Sequence, residues 1–280
     1  DLGLRALLIE KESEFGGQLL WTFNPVNNYL GVDAENGRAM RDRFLESVEN
    51  KGFQSRLNAT IERVDLSARE ITMADGSLLR SGAIIIATGV RRRTLGVPGE
   101  IEFRGRGMIE SGVKDLSKTR NKIVAVVGGG DAALENALMM SEVATKVFVI
   151  HRGSKFSGRD EFISRVENTS NIEIHFHSRV SEIFGRESVE GIRILSCETA
   201  KASDLAVDSV LVRIGVVPNS DKFLNQIATD SCGYILIDSN CGTDIPGIFA
   251  IGDVASPTAP TIANAVGQGS VAAKFIAQNR

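Results

Sequence analysis

Two glycines and an alanine, in the spacing Gly128-x-Gly130-x-x-Ala133, are the residues of this chain best suited to holding a ligand. They follow an apolar run at 122–127 and open an Ala- and Leu-rich run at 131–142, so they read as a strand-to-helix turn. The first glycine permits the tight turn, and the second lets a pyrophosphate approach the backbone. The small third residue lets helix and strand pack closely. Unpaired N–H groups and the dipole at the helix start favour phosphate, with Asp131 and Ala132 in the first turn. A second apolar run at 146–150 completes a strand–helix–strand unit, the context that separates a dinucleotide site from an ordinary glycine turn. Where that strand ends, acidic residues select an unphosphorylated ribose and basic ones a 2′-phosphate. His151 and Arg152 stand there, with Lys155 and Arg159 nearby. The basic set points to NADPH; the alternative is a solvated basic turn.

Other spacings carry less. Ser111 and Lys114 could form a nucleophile and base, but a solvated linker is the better reading. His175-x-His177 puts two imidazoles on one strand face with Ile172, Ile174 and Phe176 opposite. No third ligand accompanies them, so no metal site is expected. Cys232 and Cys241 lack redox spacing and an obvious activating neighbour, and read as structural thiols. Trp21, Phe23 and Tyr29 could wall a ligand or belong to the core.

The elements that position these residues follow from alternation and glycine punctuation. Residues 6–10 read as a buried strand. Residues 35–51 read as a helix with Met40, Phe44, Leu45 and Val48 on one face, and 54–80 as short antiparallel strands turning at Asp75-Gly76. The run 83–88 reads as a strand covered on both faces. Further strands are expected near 172–177, 189–196 and 208–214, then short strands and a closing helix over 261–278. Crossings between two domains are expected near 108–118 and 216–222. With 280 residues, 42% of them hydrophobic, the chain can bury substantial cores. A net charge of −3 gives no case for nucleic acid or an anionic membrane. No apolar run approaches the roughly 20 residues that span a bilayer. Three scattered cysteines make no disulfide framework and point to a reducing cytoplasm.

Seven motifs occur in order: Glu10; Gly16-Gly17-Gln18-Leu19; Ala87-Thr88-Gly89; Gly96-Val97-Pro98-Gly99-Glu100; Gly128–Ala133; His151-Arg152; and Gly247-Ile248-Phe249-Ala250-Ile251-Gly252-Asp253. In this order they resemble the low-molecular-weight thioredoxin reductase family of flavoproteins. That family includes cysteine-lacking relatives, the thioredoxin-reductase-type ferredoxin–NADP reductases. The resemblance implies an α/β protein of two Rossmann-like domains: a discontinuous FAD domain, 1–111 and 219–280, with an NAD(P) domain, 112–218, inserted. It implies that Glu10 receives the adenosine ribose of FAD, and that Gly16, Gly17, Gln18, Leu19 and Asn28 lie along the phosphates and the ring. Thr88 and Gly89 would pass close to FAD, Gly252 and Asp253 would bind its ribityl or pyrophosphate region, and Ile262 would lie near the ring.

Three departures modify that expectation. The family's opening strand and Gly-x-Gly-x-x-Gly loop do not precede Asp1, so the chain reads as missing its natural beginning. Its Cys-x-x-Cys falls on Ser111-Gly112-Val113-Lys114, and no cysteine lies between Glu100 and Gly128. Its His-Arg-Arg signature is reduced to His151-Arg152-Gly153, and a later arginine falls near Ser157, which leaves NADH possible. The resemblance implies hydride transfer from NAD(P)H to FAD, with no catalytic side chain. Electrons then pass to an acceptor other than an internal dithiol, such as ferredoxin. A disulfide reductase of the bacillithiol-disulfide type, with its cysteine elsewhere, and a redox-silent nucleotide binder are the alternatives. A cytoplasmic homodimer is expected.

Overall fold

The computed structural model describes residues 2–279. It divides into two compact units, Asp1–Arg91 with Val217–Arg280, and Arg92–Val216.

The second unit is built on a five-stranded parallel sheet. Its strands lie in the order Met108–Ile109, Ser209–Val212, Ile123–Val127, Lys146–Ile150, Ile172–His175. Because strand side chains alternate, the near-continuous apolar runs feed both faces. Val124, Val126, Val147, Val149 and Leu211 pack with Leu134, Leu138 and Met140 of the helix Asp131–Ser141. Ala125, Val127, Phe148, Ile150 and Val210 pack instead with Val180, Ile183, Val189, Ile192 and Ile194. These belong to an antiparallel sheet of Ser178–Gly185, Val189–Ser196 and Ala202–Ala206. One face is therefore helical and the other is sheet. The sequence reading finds the middle of those three antiparallel strands and not its two partners.

Residues 92–111 belong to this second unit, whereas the sequence reading gives them to the first. Phe103 is 2% exposed inside the antiparallel-sheet core, and Met108–Ile109 extends the parallel sheet beside Ser209–Val212. The Glu100 carboxylate accepts N–H bonds from Leu95 and Gly96, closing the turn of that motif. Ile183 N–H bonds to Pro98 O, and a Cβ at Gly99 would lie 1.9 Å from Ile183 O. That close approach requires glycine.

The first unit has smaller sheets. Leu7–Ile9 runs parallel to Gln54–Arg56, and Ile84–Ile86 parallel to Ile248–Ala250. Ile61–Asp65, Glu70–Met73 and Leu78–Arg80 form an antiparallel sheet turning at Asp75-Gly76. Gln54–Arg56 thus leaves the expected antiparallel set. Two expected buried strands are partly open: Leu7 and Leu8 are 38% and 47% exposed, and Ile85 40%. Among the described residues each of these strands pairs along one edge only. The helix Gly37–Val48 starts on Asn36, whose side chain accepts Ala39 N–H, and it buries Met40 against Val26 and Ala34. The closing helix Ile262–Gln278 starts on Thr261, whose hydroxyl caps Asn264 N–H.

Leu134 is fully buried between the second unit's helix and its parallel sheet. Leu134→Ala is expected to destabilise that unit by roughly 2–5 kcal/mol, read in its denaturant transition. A loss below about 1 kcal/mol would contradict the packing described.

Candidate functional site

In the second unit the parallel strands end together. Val127 is in register with Ile150 on one side and Val212 on the other, and the chain then turns at Gly128. Gly128 has φ 146 and donates to Ile150 O at 3.0 Å. A Cβ there would lie 2.1 Å from Arg213 O and 2.9 Å from the Ala133 methyl, so only glycine fits. At Gly129 a Cβ would lie 2.3 Å from His151 Nδ1, which closes that side too.

Gly130 differs. It caps the helix Asp131–Ser141 with extended φ −96, and a Cβ there would meet only Ser157 Oγ, at 3.8 Å. Nothing in the protein fills that space, so it is a cradle open to a ligand at a helix start. Ala133 is fully buried behind it.

The basic residues do not act as one set. Asp131 accepts Arg159 N–H at 2.7 Å and Arg159 Nε at 2.9 Å, so Arg159 is tied to the helix start. His151 donates from Nε2 to Lys155 O at 3.0 Å, and its ring lies tilted against Phe156 and edge-on to Phe176. Burial pushes its pKa below the ordinary range, the Lys155 carbonyl opposing, so the ring is neutral at pH 7. Arg152 and Lys155 are left exposed. A cavity of about 400 Å³ opens beside the loop, lined by Lys155, Phe156, Ser157, Asp160, Ile163 and Phe176. Ser157 N–H bonds to Gly129 O at 2.8 Å and links that wall to the glycine turn.

Ser111 is not in a solvated linker. It is 6% exposed and N-caps the helix Gly112–Asp115, its hydroxyl accepting Lys114 N–H at 3.4 Å. The Asp115 carboxylate accepts N–H bonds from both Glu110 and Ser111. Lys114 Nζ bonds to Glu110 Oε2 at 2.6 Å, which raises its pKa and keeps it from acting as a base. His175 and His177 likewise do not share a strand face: the strand ends at His175, and His177 has φ 50 and pairs with Glu198.

In the first unit the structure brings together three of the expected residues. Gln18 Nε2 donates to Asp253 Oδ2 at 3.0 Å, and a Cβ at Gly89 would lie 3.0 Å from that same nitrogen. Gly16 and Gly17, with φ 136 and 48, aim the short helix Gly17–Trp21 that carries Gln18 and Leu19. Gly252 N–H bonds to Gln268 Oε1 at 2.7 Å, and Gln268 Nε2 to Ser256 Oγ at 2.9 Å. Thr88 is held by Asn219 through paired side-chain bonds to backbone oxygens, 2.8 Å each. Glu10 follows the strand Leu7–Ile9, with Oε1 accepting Glu12 N–H. Ile262 packs with Val26, Ala34 and Met40. Asn28 is exposed on the strand Val26–Tyr29. No bond joins Glu10, Asn28 or Ile262 to the Gln18–Asp253 pair among the described residues. Gln268, Ser256 and Asn219 escape the sequence reading; only a helix glutamine facing Gly252 hints at the first.

A matching family and matching structures complete the assignment. The pattern defining the pyridine nucleotide-disulphide oxidoreductases covers residues 2–269. The chain belongs to that family. It is 34% identical over 270 residues to a thioredoxin reductase of Listeria monocytogenes, covering 96% of this chain and 84% of that one. It is 29% identical to an NADH dehydrogenase of Bacillus subtilis, covering 92% of this chain and 51% of that one. A thioredoxin reductase structure from Lactococcus lactis superposes with a TM-score of 0.83 at 29% identity, over 99% of this chain and 90% of that one. The chain is thus an FAD-dependent NAD(P)H oxidoreductase of the thioredoxin-reductase-like kind. No helix among the described residues is long and apolar enough to cross a membrane.

Two outcomes test this geometry. Gly130→Ala should leave thermal stability unchanged and weaken NAD(P)H binding on the order of tenfold, whereas Gly128→Ala should lower both. Equal binding in wild type and Gly130→Ala would remove the cradle. Separately, the Arg38 and Arg41 guanidiniums hold Glu14 down to about 2 from 4.5. A depressed carboxylate contributes stability above its unfolded value and loses it as pH falls through the folded one. Urea denaturation of wild type should therefore show stability falling between pH 4.5 and about 2, with a shallower fall in Glu14→Gln.

Proposed function

We propose that this oxidoreductase passes reducing equivalents from NAD(P)H through FAD to an acceptor other than an internal dithiol, with a one-electron carrier such as ferredoxin as first choice. The observation that carries this reading is the Ser111–Lys114 turn. It has no thiol, and capping bonds on both flanks close it. When bound, FAD takes two electrons from a nicotinamide and can release them singly or in pairs.

The chain's own residues bind and orient. The Gly128–Ala133 loop would hold the dinucleotide phosphates, with Gly130 leaving them room and the helix start supplying N–H groups. Asp131 would act by fixing Arg159 and the loop it begins. Arg152 and Lys155, at the end of Lys146–Ile150, would face the ribose, while His151 fixes the loop as a neutral donor. In the first unit, Gln18, Thr88, Gly89, Gly252 and Asp253 would line the flavin, their geometry preset by Asn219 and Gln268. Glu10 would receive the adenosine ribose, and Gly16, Gly17, Leu19, Asn28 and Ile262 would flank the phosphates and ring. We include in this reading a cytoplasmic homodimer whose NAD(P) site lies in residues 92–216.

Flavin-loaded protein should be yellow and bleach anaerobically on NADPH; persistent colour would sink the reading. Reoxidation by ferredoxin, with none by thioredoxin or low-molecular-weight disulfides, supports the carrier, and the reverse result assigns a disulfide reductase. Arg152→Ala should raise KM for NADPH roughly tenfold and leave KM for NADH within about twofold. Equal effects on both would remove Arg152 from 2′-phosphate recognition.

A further inference from the structure

Two arginines on one helix of the first unit hold a single loop carboxylate. Arg38 and Arg41 stand three residues apart on Gly37–Val48, so they share a face. Arg38 is bidentate, with Nη1 on Glu14 Oε2 at 2.9 Å and Nη2 on Oε1 at 3.0 Å. Arg41 Nη1 reaches the same Oε2 at 2.9 Å and also Phe15 O at 2.8 Å, while its Nε bonds to Asp42 Oδ1 at 2.6 Å. The Arg38 side chain is 54% exposed and the Arg41 side chain 10%. An exposed ion pair contributes little, whereas a buried guanidinium must have its partners in place, so Arg41 is the deciding member. Hydrogen bonds from Arg38 and then Arg41 hold the Glu14 carboxyl at about 2, so it is ionised at neutral pH.

The pair of arginines fixes the entry to a turn that cannot fix itself. Gly16 and Gly17, with φ 136 and 48, follow Phe15, and glycine adopts such conformations among many others. The direction of the short helix Gly17–Trp21 is therefore set by how the chain is held at its ends. Upstream, Arg41 takes the Phe15 carbonyl, and its stem closes over Gly16, where a Cβ would lie 3.1 Å from Arg41 Cγ. Downstream, Gly37 N–H bonds to Thr22 O at 2.8 Å, and a Cβ at Gly37 would lie 2.0 Å from Leu19 O. One helix thus grips both ends of the segment. Between the grips lies Gln18. Its backbone carbonyl accepts the Thr22 hydroxyl at 3.3 Å, and its Nε2 donates to Asp253 Oδ2 at 3.0 Å beside Gly89.

We propose that Arg41 is a positioning residue of the flavin site: through Glu14 and the Phe15 carbonyl it fixes the Gly16-Gly17 turn and so places the Gln18 amide. The inference rests on the reading that Gln18 lines the flavin, and it gives Arg41 no contact with the cofactor.

The test compares flavin-loaded wild type with Arg41→Met, Arg41→Lys, Glu14→Gln and a control, Arg43→Gln, at an exposed arginine of the same helix. Two signals are read: amide hydrogen exchange over residues 16–22, and the dissociation constant and visible spectrum of bound FAD. The N–H groups of Leu19 and Thr22 bond to Gly16 O and Leu19 O and report on the segment. In Arg41→Met they should exchange roughly tenfold faster, and FAD should bind roughly tenfold more weakly with a shifted flavin band. Arg41→Lys, with charge but no fork, and Glu14→Gln, with an acceptor but no charge, should fall between. Arg43→Gln should match wild type. Because Arg41 acts through Gln18, its loss of FAD affinity should be non-additive with that of Gln18→Ala. If Arg41→Met does not fold, Arg41→Lys and Glu14→Gln carry the same comparison. Wild-type exchange in Arg41→Met, or full additivity with Gln18→Ala, overturns the proposal and leaves the flavin reading of Gln18 standing. Faster exchange with FAD affinity and spectrum unchanged in both Arg41→Met and Gln18→Ala overturns it by removing Gln18 from the flavin.

Discussion

The close approach at Gly128 is the constraint on which the second unit depends. Its missing side chain lets the Arg213 carbonyl and the buried Ala133 methyl both approach the backbone at the end of the central strand. That contact sets where the helix Asp131–Ser141 starts, and hence where its N–H groups point. It also seats Arg213 beside the loop, and through Arg213 it reaches Glu110 and the capped turn at Ser111. A backbone requirement at one residue therefore places three chemically different parts of the unit.

The first unit solves a similar problem differently. No single glycine governs it; side-chain hydrogen bonds of Gln18 to Asp253, Asn219 to Thr88 and Gln268 to Gly252 set its geometry. Such a network is specific only while each partner is satisfied. The second unit's site is thus sterically defined, and the first unit's set is defined by polar pairing.

What the sequence revealed divides along the same line. The Gly128 loop was legible because a backbone demand leaves residue types at fixed offsets, and the strand Ile123–Val127 because burial on both faces leaves an unbroken apolar run. The strands Ser178–Gly185 and Ala202–Ala206 were not legible, since their mixed or exposed residues show no clean alternation. The Arg159–Asp131 pair was hidden for another reason: both residues have ordinary surface character, and only the fold brings them together across 28 positions. The assignment of residues 92–111 turned on Phe103 and Met108–Ile109, whose attachment to a distant sheet no local pattern announces. Gln268 reads as one more polar residue of a helix until Gly252 is seen beside it.

The Arg159–Asp131 pair ties the loop after Lys146–Ile150 to the helix start, and the His151–Lys155 bond closes that loop on itself. A loop held this way has lost its conformational freedom before any dinucleotide arrives. In the proposed reading, dinucleotide association would then need little ordering of this loop. The proposed recognition loop is a preset mould.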